Sequence, residues 1–240
     1  MHQRCRDSLS LLFAVLIFFS LTRPAFAEEA GGVQEKTESE SFEITEEWFD
    51  SALFIGDSQT GGLASYTMMY GGLGDALVYY VVGLSCYNIV HLDQRLYFKG
   101  EYHTIENMVA ASGAEKVFLS LAINDVEAPV DVMRDCWSAM LERIREKNPE
   151  VSIYVQSCPE IGQDYSGSTG RRIRSYNRML KEVCEERDCS FVDITAGLTD
   201  GNGLTKQSYL RDNIHLNEEG CRIWLRNLCR PESYSIPPEA

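Results

Sequence analysis

From residue 42 onward, short apolar runs alternate with stretches whose apolar residues recur every three or four positions. Runs at 52–55, 77–82, 116–121, 151–156 and 190–192 are rich in Val, Ile, Leu, Phe or Tyr. Gly, Ser, Asn or Asp punctuate each run, and that pattern predicts strands. Between them lie helical patterns. At 130–147, Val132, Cys136, Met140, Leu141 and Ile144 share a face, and Pro149 stands just past the end. At 171–186, Ile173, Tyr176, Leu180 and Val183 do the same, and a last helix follows Asn217, an expected N-cap, with Cys221, Trp224, Leu225 and Leu228. Strands alternating with helices predict an α/β fold. The expected form is a three-layer α/β/α sandwich on a five-stranded parallel sheet, with ligands at the carboxyl ends of the strands. The tail at 231–240 reads as irregular, and no internal repeat is present.

The first 41 residues follow a different pattern. Arg4 and Arg6 precede an apolar stretch at 9–21, and Ala25-Phe26-Ala27 offers a small-x-small cleavage site before Glu28. This order predicts a secretory signal peptide over 1–27. Thirteen residues are short for a bilayer span, which needs about 20; the alternative is an uncleaved anchor. Residues 28–41 are acidic and without hydrophobic periodicity, which predicts a disordered linker, with the folded domain at 42–240.

The 240-residue chain carries a formal net charge of −14. Losing 1–27 removes Arg4, Arg6, Arg23 and Asp7, a net +2, and leaves −16. Such an acidic surface repels phosphate backbones and anionic membranes, so nucleic acid is not an expected partner; no other segment is apolar enough to span a bilayer, so stable membrane insertion after cleavage is not expected. Seven cysteines remain beyond the signal: Cys86, Cys136, Cys158, Cys184, Cys189, Cys221 and Cys229. The spacing of Cys184 and Cys189 allows a bridge between a helix end and the next strand. Buried free thiols are the alternative, and no Cys-x-x-Cys pair points to a metal.

The chemistry sits at the strand ends. Ser58, in Gly56-Asp57-Ser58-Gln59, follows the first strand and precedes a helix start, where its own N–H faces a developing oxyanion. Asn124, after the third strand, offers a neutral amide donor. Gly83, after the second, lets a backbone N–H approach a substrate closely. His215 alone among the histidines has a carboxylate, Asp212, three residues before it, placed to orient the imidazole. His91 and His103, with Asp93 and Glu101 nearby, fit no recurring ligand spacing and are expected at the surface. The turn Asp200-Gly201-Asn202-Gly203 has too few oxygen ligands at the required spacing for calcium. Each motif alone also fits ordinary turn chemistry.

Together the four blocks, Gly56-Asp57-Ser58, Gly83, Ala122-Ile123-Asn124-Asp125 and Asp212-Asn213-Ile214-His215, resemble the SGNH hydrolases, the GDSL esterase and lipase superfamily. The resemblance covers about 52–228. It implies a flavodoxin-like sandwich, no metal or other cofactor, and ester hydrolysis with Ser58 as nucleophile, His215 as base and Asp212 as its orienter. Ser58, Gly83 and Asn124 would form the oxyanion hole. Ala122 stands where the family usually has glycine, and its methyl group is expected to narrow the site or shift the Asn124 loop slightly. The implied substrate is a short-acyl ester, with acetylated polysaccharide or cell-wall glycan favoured for an exported protein. A lysophospholipase or short-chain lipase is the enzymatic rival, and a non-catalytic glycan-binding or adhesion protein the other class. The Gly/Ser-rich stretch at 165–172 is expected to be a loop that either lines the leaving-group side or is idle surface. Oligomeric state is left open by the sequence.

Overall fold

The computed structural model describes residues 43–160 and 167–238. The expected signal segment at 1–27 and linker at 28–41 lie outside the described residues. In chain order the elements are β1 (Ala52–Gly56), α1 (Ser58–Tyr70), β2 (Leu77–Tyr80), α2 (Cys86–His91), β3 (Leu96–Phe98) and β4 (Glu101–His103). They continue with α3 (Ile105–Ser112), β5 (Lys116–Ser120), α4 (Val130–Lys147), β6 (Ser152–Gln156), α5 (Gly167–Glu186), β7 (Ser190–Val192) and α6 (Glu218–Leu228). Five strands form one parallel sheet in the order β2-β1-β5-β6-β7. The chain leaves β1 for β2 on one side and later returns to β5 on the other. That reversal puts a topological switch point at the carboxyl ends of β1 and β5, where open α/β sheets bind ligands.

Alternation of side chains divides the interior into two layers. Leu53, Ile55, Val117, Leu119, Ile153 and Val155 face α2, α3, α4 and α5. Phe54, Phe118, Tyr154 and Val192 face α1 and α6. On that second face three rings in register stack across neighbouring strands: Phe54 on Phe118 with centroids 4.4 Å apart, and Phe118 on Tyr154 at 4.6 Å. Each such pair stabilises by about 0.5–1.5 kcal/mol beyond its buried area. The buried indole of Trp224 in α6 donates to Gln156 Oε1 at 2.7 Å, so α6 is tied to β6 by a polar bond as well as by packing.

Three departures from the sequence reading have physical causes. The second strand ends at Tyr80 rather than residue 82, because Gly83, at φ +77°, turns the chain through a hydrogen bond from Leu84 N to Val81 O. Between 86 and 112 lie two short helices and a hairpin that no long period announces. The hairpin turns on Lys99 and Gly100, both at positive φ, and His103 within it is held by Phe98 O at 3.2 Å, with its side chain only 10% exposed. His91, by contrast, is exposed. The expected loop at 165–172 is corrected in its described part: Gly167 to Arg172 form the opening turns of α5, and Arg172 pairs with Glu127 at 3.0 Å. The seven cysteines among the described residues are free thiols, so a Cys184–Cys189 bridge is not realised. Among the described residues no helix is long and apolar enough to cross a membrane.

At Gly56 the sheet and the first turn of α1 leave no room for a side chain. A Cβ there would lie 1.8 Å from Thr60 Oγ1 and 2.8 Å from the backbone oxygen of Ser120. At Gly62 a Cβ would meet Cys221 Sγ at 3.6 Å and Leu216 O at 3.9 Å, both ordinary contacts. Gly56→Ala is therefore expected to destabilise by about 1–3 kcal/mol through overpacking. Gly62→Ala is expected to be neutral or to gain up to about 1 kcal/mol of helix propensity. Urea unfolding of the two variants against wild type checks the contrast; equal effects would contradict this packing.

Candidate active site

The turn between β1 and α1 sets the first group. Asp57 caps α1, its Oδ1 accepting the Gln59 N–H at 2.9 Å, so Ser58 opens the helix at the carboxyl edge of the central sheet. From the far end of the chain, the loop at 210–216 closes on itself through Arg211 N to His215 O and an isolated bridge between Leu210 and Leu216. Asn217 then caps α6 by accepting the Gly220 N–H at 3.0 Å, as its position led one to expect. Packing of α6 on the same face as α1 carries this loop over the start of α1.

Three of the expected residues meet there. Ser58 Oγ is 2.9 Å from His215 Nε2. His215 Nδ1 is 2.9 Å from Asp212 Oδ2 and 3.1 Å from Oδ1. A proton on Nδ1 shared with Asp212 leaves Nε2 as an acceptor, the tautomer able to take a proton from the hydroxyl. Burial alone would raise the Asp212 carboxyl. The N–H groups of His215 and Ile214, at 2.6 and 2.8 Å, and the imidazole outweigh it and hold the carboxyl down at about 2. Asp212 therefore stays ionised at any ordinary pH.

The other two expected residues stand at the same sheet edge in different circumstances. Gly83 follows β2, the strand next to β1, and a side chain there would face open space, so its positive φ is what requires glycine. Asn124 lies in a single 3-10 turn after β5. Its amide is turned inward, donating to Leu84 O at 2.9 Å and to Asp57 Oδ2 at 3.3 Å. One side chain thus joins the ends of β1, β2 and β5. Ala122 sits at φ −84°, ψ −33°, a conformation open to any L-residue, and is buried in the core. Its methyl group introduces no backbone strain into the loop.

Sequence reasoning missed the role of one carboxylate. Asp125 accepts the N–H of Cys86 at 2.8 Å and of Tyr87 at 3.4 Å, anchoring the start of α2 to the β5 loop. Asp57 is 1% exposed. Burial pushes its carboxyl up, opposed by the Gln59 N–H and aided by the charge of Asp125, to about 7. Also missed was a crevice of about 400 Å³ that runs from Ser58 along α1, lined by Tyr66, Met69, Tyr80, Val82 and Arg211. Helical period supplied a usable signal. In a helix that begins at Ser58, positions 62, 66 and 69 fall on the nucleophile's own face.

A family model described as GDSL-like lipase/acylhydrolase matches residues 50–223. The chain belongs to that family. It is a carboxylic ester hydrolase of the GDSL type, as the four blocks implied. Curated proteins give no match. Among solved structures, a GDSL-like lipase from Bacteroides thetaiotaomicron is 15% identical with a TM-score of 0.59, over 74% of this chain and 84% of its own. A structure named as the acetyl xylan esterase AlAXEase is 18% identical with a TM-score of 0.57, over 74% and 96%. A point variant of an acetyl xylan esterase from Geobacillus stearothermophilus is 21% identical with a TM-score of 0.53, over 74% and 91%. These likenesses bear on the fold, and the sandwich expected from the sequence is the one they share.

The raised Asp57 carboxyl has a measurable consequence for this hydrolase. Folded protein holds the proton until about pH 7, whereas an unfolded chain releases it near the ordinary 3.8. Between those values folding takes up a proton, so this group's stabilising contribution falls as pH rises. Asp57→Asn cannot titrate. Whatever constant offset it introduces, its Tm relative to wild type is expected to climb by several degrees from pH 4 to pH 7. A flat difference across that window would contradict a protonated Asp57.

Proposed function

We propose that this hydrolase is an exported serine esterase that removes short acyl groups, acetyl above all, from carbohydrate or cell-wall glycan. The observation that carries the serine mechanism is the 2.9 Å approach of Ser58 Oγ to His215 Nε2, with Asp212 on the imidazole's other nitrogen. In that mechanism Ser58 Oγ attacks the ester carbonyl and its proton passes to Nε2. The imidazolium formed is stabilised by ionised Asp212. The tetrahedral oxyanion then collapses, and His215 returns the proton to the departing alcohol. Water, activated by the same imidazole, releases the acid from the Ser58 ester.

Oxyanion stabilisation falls to the N–H groups of Ser58 and Gly83 and the Asn124 amide. Of the two hydrogen bonds that occupy this amide, the longer one, to Asp57, is the weaker, and that N–H is the one available to an oxyanion. Substrate class rests on two supports. Two solved structures of like fold are named acetyl xylan esterases. The Tyr66 and Tyr80 rings beside the crevice suit the C–H faces of sugars, and Arg211 suits their hydroxyls. The apolar contribution of Met69, Val82 and Leu216 to the same crevice favours a second reading, a lipase acting on a longer acyl chain. Export rests on the basic, apolar and Ala25-Phe26-Ala27 segments read in the sequence.

Acetate release from acetylated xylan and peptidoglycan, alongside a p-nitrophenyl ester series from two to twelve carbons, separates these readings. Ser58→Ala is expected to lose activity by about 10³ or more, and Asn124→Ala to lose about 10²–10³ in kcat. Highest kcat/KM on acetyl esters supports the glycan reading. A maximum at eight carbons or more would transfer support to the lipase, and undiminished activity of Ser58→Ala would end the serine mechanism.

A further inference from the structure

Gln59 follows the nucleophile in sequence, yet its side chain is 3% exposed and does not enter the mechanism above. A buried amide of this kind needs partners for its carbonyl and its N–H groups. Gln59 finds them 155 residues away in sequence. Its Nε2 donates to Ile214 O at 2.6 Å, and its Oε1 accepts the Leu216 N–H at 3.3 Å. These two backbone groups flank His215 on either side. The amide therefore docks on the imidazole-bearing segment as a peptide group of a neighbouring strand would.

We infer that Gln59 is a positioning residue: its amide fixes the backbone of His215 relative to Ser58. This rests on the serine mechanism proposed above. Gln59 is itself anchored, because its own N–H is held by Asp57 Oδ1 at 2.9 Å within the first turn of α1. Ser58 and the clamp consequently share one rigid turn, and the clamp holds the chain one residue before and one after the imidazole. The loop at 210–216 is braced internally by Arg211 N to His215 O and Asn217 N to Tyr209 O. Those bonds preserve the loop's shape but do not set its distance from α1. Direct polar links from α1 to the segment and to the helix after it include the Gln59 pair, the Ser58–His215 bond itself and, a helix length away, Tyr70 Oη donating to Glu218 at 2.7 Å. Of these, the Gln59 pair remains to hold the imidazole-bearing backbone against α1 when Ser58 is acylated and its hydroxyl is lost. Deacylation needs His215 in place at that moment.

Two variants test this with wild type and Ser58→Ala as references. Gln59→Leu removes both bonds and is expected to lower kcat on the order of 10²-fold with KM little changed, as for a misplaced catalytic group. Gln59→Glu keeps the shape and offers a titration. A protonated carboxyl can still donate to Ile214 O and accept from Leu216 N; an ionised one sets oxygen against oxygen at Ile214. Its kcat divided by that of wild type at the same pH is expected to be near one at acid pH and to fall as pH rises. Each rate is taken well below the variant's Tm at that pH, so loss of folded protein does not enter.

Should Gln59→Leu fail to fold, the ratio from Gln59→Glu decides alone. A pH-independent ratio for Gln59→Glu, or wild-type kcat in folded Gln59→Leu, overturns the positioning role while an inactive Ser58→Ala leaves the serine mechanism standing. Full turnover by Ser58→Ala overturns that mechanism and this inference with it.

Discussion

The hydroxyl–imidazole bond between Ser58 and His215 is the contact on which the rest of this architecture converges. Its two partners come from opposite ends of the folded region, and a bond spanning 157 residues forms only if several layers agree. The central strand β1 must deliver Ser58 to the sheet's carboxyl edge, and Gly56 allows this by letting α1 turn back without a clash. Helix α6 must lie on the same face as α1, which the ring stack of Phe54, Phe118 and Tyr154 and the Trp224–Gln156 bond secure. The close passage of α1 and α6 at Gly62 then leaves the preceding loop directly above the nucleophile.

Around this bond the polar groups are arranged as braces. Asp57 holds the first turn of α1 with one oxygen and meets Asn124 with the other, while Asn124 also reaches Leu84. Three strand ends are thereby joined by one buried carboxyl and one amide. Asp125 does the same for α2. Burial opposes ionisation of both carboxyls, the charge of Asp125 adds to the effect at Asp57, and both are raised from the ordinary value. Asp212 lies at the other extreme, exposed enough and donor-rich enough to remain charged. The site thus sorts its acids by environment. Braces sit where charge is disfavoured, and the imidazole's partner sits where it is favoured.

Much of this was legible in the sequence, for identifiable reasons. Strands β1, β5, β6 and β7 are buried on both faces, so they read as continuous apolar runs, and α4 was legible from residue 130 to 147 because six core residues keep its period. Helices α2 and α3, of six and eight residues, and the three-residue strands β3 and β4 are too short to show a period. The Gly/Ser composition before Arg172 suggested a loop, but position in the chain overrode propensity, and α5 starts at Gly167. At the site, residue types at strand ends pointed to Ser58 and Asn124, and the Asp-x-x-His spacing pointed to Asp212 and His215. What Gln59 and the inward face of the Asn124 amide do depends on contacts between distant segments, which one-dimensional pattern does not carry.

The central claim is that the imidazole of His215 activates the hydroxyl of Ser58. Its most direct measure is the rate at which a fluorophosphonate is captured by folded protein, with the adduct located by peptide mass spectrometry, in wild type and in His215→Gln. The account predicts a single adduct on Ser58 and a capture rate about 10³-fold lower in the variant. An adduct on another residue, or equal capture by the two proteins, would contradict it.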